Sequence, residues 1–297
     1  MRVLVTGAAG MLGSSLCPLL EKQGFAVIAT DKVSLDGILD LDITDAANVN
    51  KLVEKYTPEI IFHLAAETDV DKCEKEPEHA YLVNARGTEN LAQASLRAGC
   101  ILVYISTGGV FDGESPEAYT ESDQPNPKNV YSRAKWEGEK IVAALLKKYY
   151  IVRAGWMFGG GHLDKKFVGK IVDLLSTKKE LKVVDDKFGS PTFTEDLARA
   201  LVALVKTGRY GLYHSANVGC CSRYEMAVKI VECLGLSGIK INPISSDAFP
   251  LPAYRIRSES LANSKLNRYK IYAMRPWQEA LCEYVKRHAQ EKALFKQ

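Results

Sequence analysis

Residues 3–13 read VLVTGAAGMLG, and no other stretch restricts the fold so tightly. A β-branched run passes directly into glycines at 7, 10 and 13, a spacing that suits strand, tight turn and helix in succession. Small residues there let the backbone turn, approach a pyrophosphate and rest the helix on the sheet, and the helix N-terminus offers N–H groups to the anion. Gly7, Gly10, Met11, Leu12 and Gly13 are therefore candidate contacts to a dinucleotide. The same glycines, with Pro18, interrupt the uncharged run Val3–Leu20, which is read neither as a leader nor as a membrane span.

The following residues keep the pattern that this opening begins. Apolar runs at Val3–Thr6, Ala26–Thr30, Ile60–Leu64, Ile101–Ile105 and Tyr150–Arg153 predict strands; the stretches Met11–Gln23, Ala46–Tyr56, Glu78–Ala98 and Val130–Tyr149 predict the helices between them. Repeated βα units close as a parallel sheet with right-handed crossovers and helices on both faces. The expected fold is α/β: a Rossmann-type doubly wound parallel sheet, residues 1–155, with a smaller C-terminal substrate-binding lobe, residues 156–297. Residues near 185–215 are expected to return to the first domain. The lobe should contain helices at Phe167–Leu175, Thr194–Val205, Arg223–Leu234 and near Pro276–Ala293, short strands at Lys182–Val184 and Leu212–Ser215, and an irregular segment, Ile244–Leu261.

Composition excludes several classes. A net charge of +3 over 297 residues, with no basic stripe, argues against nucleic acid and membrane-surface partners. Seven cysteines, an odd number lacking any CxxC, predict reduced packing thiols in a cytoplasmic protein rather than a disulfide framework. No HxH, HExxH or carboxylate cluster appears, so no metal is assigned. A homodimer is left open.

Asp31 ends the second predicted strand, where a carboxylate accepts the ribose hydroxyls of an adenosine and repels a 2′-phosphate; Lys32 beside it blunts that preference. The cofactor is accordingly read as NADH or NADPH. Asp42 and Ile43 in LDLDITD are candidates to flank the adenine, and Ala65 and Ala66 in FHLAAET to admit the nicotinamide half. Of 14 tyrosines only Tyr131 has a lysine four residues on, in YSRAK, so that Tyr131 and Lys135 share a helix face. Hydride transfer to a ketone leaves alkoxide character that needs a proton, and a phenol of pKa about 10 is sluggish unless a neighbouring ammonium lowers it. Thr107, at the end of VYIST, is the expected hydroxyl to bond the same carbonyl.

Together GAAGMLG, Asp31, HLAA, Ser106-Thr107 and YSRAK resemble the extended short-chain dehydrogenase/reductases. The segments TDVDKCEKEPEHAYLVNARGTENLA, STGGVFDG, RAGWMFG, FGSPTFTEDLARA and RSESLANSKL narrow the resemblance to the dTDP-4-dehydrorhamnose reductase family. That resemblance implies reduction of the 4-keto group of a dTDP-linked 6-deoxyhexulose, a nucleotide sugar, to dTDP-L-rhamnose. Carried over, Tyr131 is the acid, Lys135 its partner and Thr107 the orienting hydroxyl. Thr68 and Trp156 line the sugar pocket, and Arg255 or Arg257 meets the diphosphate. The chain departs at Gly108-Gly109, where the family usually reads Asp-Tyr. Rival readings are a nucleotide-sugar epimerase or dehydratase, and a non-catalytic cofactor-binding subunit resembling the methionine adenosyltransferase β subunit.

Overall fold

The computed structural model describes residues 1–33 and 35–292. Its first half alternates as the hydrophobic pattern requires: β1 (Arg2–Thr6), α1 (Gly13–Lys22), β2 (Ala26–Asp31), β3 (Leu39–Asp40), α2 (Ala46–Tyr56), β4 (Ile60–His63), α3 (Val70–Lys75), α4 (Pro77–Tyr81), α5 (Gly87–Ala98), β5 (Ile101–Thr107), α6 (Val130–Leu145) and β6 (Tyr149–Ala154). The main sheet has seven strands in the order Gly211–His214, β6, β5, β4, β1, β2, β3, and every pairing is parallel. Because β1 lies between β2 and β4, the chain reverses direction across the sheet there. The crevice beyond the carboxyl ends of β1 and β4 is where such sheets bind ligands.

Alternation along the strands divides the core into two layers. Val3, Val5, Phe62, Val103, Ile105 and Val152 face α1 and the helix Thr194–Val205; Leu4, Ile61, Leu102, Tyr104 and Ile151 face α2, α5 and α6. A third cluster, including Phe158, Phe193, Met226, Ile230, Trp277 and Tyr284, fills the C-terminal lobe. Three small sheets edge that lobe: Trp156–Phe158 pairs with Pro191–Phe193, Glu180–Val184 with Lys240–Ile244, and Phe188–Gly189 lies between Cys221–Ser222 and Ser258–Glu259.

Several expectations change. The helix expected over Glu78–Ala98 begins at Pro77 and carries a wide π turn at Leu82–Arg86. The short strand Leu39–Asp40 and the helix Val70–Lys75 went unforeseen, the first because two residues carry no periodicity. The last helix is Trp277–Glu291; Ala293 lies outside the described residues. The expectation of seven reduced thiols is corrected as well. The helix Arg223–Cys233 packs on Trp277–Glu291 and brings Cys233 and Cys282 to a Cα separation of 5.1 Å, where they are disulfide-bonded. A pairing across 49 residues has no signature in sequence spacing.

Candidate active site

The glycine loop is shaped for a close-approaching backbone ligand. Gly7 adopts φ +71°, and a Cβ there would stand 2.7 Å from the Ala65 nitrogen; at Gly13 one would stand 2.3 Å from the Ala8 carbonyl oxygen. Helix α1 begins at Gly13 with no side-chain cap and no acid in its first turn, leaving its positive end suited to a phosphate. Met11 packs its backbone near Gly160, Leu12 points into the core, and Gly10 is exposed. These residues fit the pyrophosphate of a nicotinamide dinucleotide.

The flanking candidates divide. Asp31 ends β2 half-buried, its carboxylate accepting from Ala9 N (3.0 Å) and Val33 N (3.2 Å), so it fastens the glycine loop. Exposed Asp42 has its pKa lowered chiefly by the Thr44 backbone N–H. Ile43 buries its side chain against Gly87, and its carbonyl accepts from Asn90 Nδ2 at 2.9 Å, which makes it a core residue more than a lining one. Ala65 and Ala66 follow β4 beside Gly7, half-buried.

Thr107 closes β5 on the same sheet edge and caps the turn Gly108–Val110, its Oγ1 accepting from Gly109 N at 3.0 Å. Asn129 starts α6 by accepting from Ser132 N at 2.9 Å, and this fixes the helix carrying Tyr131 and Lys135. Lys135 is 3% exposed, with Nζ 4.1 Å above the ring of Tyr104. Tyr104 in turn donates to the Lys135 carbonyl at 3.1 Å, a support that no short motif announces. Burial drives the Lys135 ammonium down to about 7, against the carboxylate of Glu139, which raises it.

The phenol departs from expectation. An adjacent ammonium was expected to lower the Tyr131 pKa; instead burial first, then the carboxylate of Glu259 and the thiol of Cys73, hold it well above its usual range, opposed by a hydrogen bond from Thr107. The physical reason is desolvation: the pocket penalises a phenolate more than nearby groups favour it.

The remaining substrate candidates lie on the lobe side. Exposed Thr68 is joined to Lys166, whose Nζ donates to its Oγ1 (3.0 Å) and carbonyl (3.2 Å). Trp156 lies on Gly189, where a Cβ would approach the ring to 2.4 Å, and the Arg223 guanidinium stacks over it at 3.5 Å. Arg255 pairs with Asp71 at 2.9 Å and donates to the Ala253 carbonyl at 2.8 Å, so its charge is already partly committed; Arg257 is exposed. Arg223, Glu259 and Lys166 were not legible in the sequence, because only the small sheets and the crossing lobe bring them to the pocket.

A glycine cradle, and a threonine, tyrosine and lysine gathered on the carboxyl edge of a parallel sheet, define an NAD(P)-dependent oxidoreductase of the short-chain dehydrogenase/reductase type. More particularly, the chain belongs to the family described as RmlD substrate binding domain, whose model matches residues 1–290. It is 38% identical over 288 residues to a dTDP-4-dehydrorhamnose reductase of Streptomyces griseus, covering 95% of this chain and 92% of that protein. It superimposes on a dTDP-4-dehydrorhamnose reductase from Clostridium acetobutylicum with a TM-score of 0.91 and 41% identity, covering 96% of this chain and 99% of that one. A Bacillus anthracis reductase of the same name, solved in complex with NADP, gives a TM-score of 0.89 at 37% identity over 96% and 99% of the two chains.

Proposed function

We propose that this chain reduces the 4-keto group of dTDP-4-dehydro-6-deoxy-L-mannose to dTDP-L-rhamnose, with NADPH or NADH as reductant. The observation that carries the reading is Thr107 at the carboxyl end of β5 hydrogen-bonded to Tyr131, whose helix also carries Lys135, in a chain of this family. Residues 1–155 would hold the cofactor and 156–297 most of the substrate, with residues near 185–215 shared between them. A cytoplasmic homodimer completes the proposal.

The bound nicotinamide supplies the hydride; the chain supplies the proton and the alignment. Thr107 has its oxygen engaged by the Gly109 N–H, and its proton, which bonds the Tyr131 phenol in the free site, turns to the substrate carbonyl when the sugar binds. Tyr131, held high, stays a loaded phenol at neutral pH and passes its proton to the oxygen as negative charge develops there. Lys135, near half-protonated at about pH 7, returns a proton to the phenolate, and Tyr104 and Glu139 keep the ammonium over the site. Trp156 and Thr68 bound the sugar, and Arg255 or Arg257 faces the diphosphate.

Product analysis tests this reading. Incubation with NADPH and the keto sugar nucleotide is expected to yield dTDP-L-rhamnose by proton NMR; recovery of unreduced substrate, or of the C4 epimer alone, overturns it.

A further inference from the structure

We infer that the carboxylate of Glu259 grips a hydroxyl of the substrate's sugar and so determines which sugar this site accepts, an inference that rests on the function proposed above. Three short strands set its position. Glu259 pairs in parallel with Gly189, and Cys221 pairs with Gly189 from the other side. Gly189 carries the Trp156 ring on its bare Cα, and Arg223, two residues beyond Cys221, stacks over that ring at 3.5 Å and over Phe167 at 4.8 Å. One edge of the pocket is thus built from an indole, a guanidinium and a carboxylate contributed by three distant segments.

The carboxylate lies beside Gly109 and close enough to Tyr131 to raise the phenol's pKa. A Cβ at Gly109 would meet Ser132 Oγ at 2.7 Å, with Thr107 Oγ1 at 3.4 Å and Glu259 Oε2 at 3.8 Å, so Ser132, the catalytic hydroxyl and the acid border the same small volume. At Gly108 a Cβ would lie 3.1 Å from the Glu259 carbonyl and 3.3 Å from Leu261, so bare glycine lets the segment Ser258–Glu259 close down. Desolvation raises the Glu259 pKa, while Arg223, Trp156 and Arg255 oppose the rise. Arg255 is bonded to Asp71 and Arg223 lies flat on the Trp156 ring, so both act on Glu259 through their charge.

A sugar's hydroxyls are donors, and an ionised carboxylate only accepts. A site built to bond a substrate hydroxyl discriminates strongly against a ligand that lacks it, because its own polar group is then left unpaired. With Thr107 on the carbonyl and Glu259 bordering the same volume, the hydroxyl within its reach would be the one adjacent to the reacting carbon. A carboxylate that served only to neutralise Arg223 would have no effect specific to the sugar.

Calorimetric titration of the full chain with dTDP and with dTDP-L-rhamnose separates the cases. Glu259→Gln and Glu259→Ser are expected to bind dTDP within about twofold of the parent and dTDP-L-rhamnose at least about tenfold more weakly. NADPH binding within a few-fold of the parent serves as evidence that the variants are folded, and the loss of sugar binding should appear in KM. Variants that hold dTDP-L-rhamnose as tightly as the parent overturn the inference alone. A parent protein that binds neither nucleotide overturns the proposed function, and the inference with it.

Discussion

At the scale of single residues the site is a set of desolvated groups held against their ordinary ionisation. Lys135 is the most informative, because its folded pKa, about 7, lies far below the 10.5 of an exposed lysine. Below pH 7 both folded and unfolded chains carry the proton, and the fold bears the full cost of burying the charge. Between about 7 and 10.5 the unfolded chain binds more protons than the folded one, so this residue makes stability rise with pH across that window. Lys135→Met in cofactor-free protein should therefore melt higher than the parent at pH 6, by a margin that shrinks toward pH 10, while turnover is lost. Melting curves across pH check this, and a variant that melts lower at pH 6 contradicts it. That Tyr131 and Lys135 share one helix was legible because residues four apart lie one turn from each other. The direction of the Tyr131 shift was not, since it depends on how much water the lobe removes and on Glu259, which lies 128 residues away in sequence.

At the scale of elements, helix α1 and its glycine entry were readable because each glycine answers a local steric demand. Gly13→Ala would force a Cβ against the Ala8 carbonyl oxygen, and overpacking of this kind costs about 1–3 kcal/mol. We expect a lower melting temperature and at least about tenfold weaker NADPH binding by fluorescence titration; parent-like values of both would show that the loop does not need its glycine. The long apolar strands and the helices over Ala46–Tyr56, Phe167–Leu175 and Thr194–Val205 followed from periodicity alone. The two-residue strands Phe188–Gly189, Cys221–Ser222 and Ser258–Glu259 did not, as their pairing is a property of tertiary contact. The same holds for Cys233 and Cys282. Titration of thiols in denaturant should find five before reduction and seven after, with seven at the outset contradicting the bond. A bridge closing a loop of this length is worth about 4 kcal/mol in the chain-entropy account.

At the scale of the molecule, the reversal of strand order between β1 and β4 puts the cofactor crevice against the lobe that carries Trp156, Arg223 and Glu259. The parallel sheet was legible because alternating βα units admit few other closures. Where the lobe's side chains meet the sheet was not, because Arg223 and Glu259 sit among ordinary surface-like sequence and acquire meaning only through the fold. Among the described residues no helix is long and apolar enough to cross a membrane, and no cluster of three metal-ligating side chains appears. What unites the molecule in the proposed function is a proton path from Lys135 through Tyr131 to a carbonyl held by Thr107. The most direct measurement follows the absorbance of NADPH after mixing with dTDP-4-keto-6-deoxy-L-mannose, for the parent and for Tyr131→Phe. The account predicts rapid oxidation by the parent, and a rate lower by about 10²–10⁴-fold in the variant with NADPH affinity within a few-fold. No oxidation by the parent with either NADPH or NADH, or a Tyr131→Phe variant as fast as the parent, would contradict it.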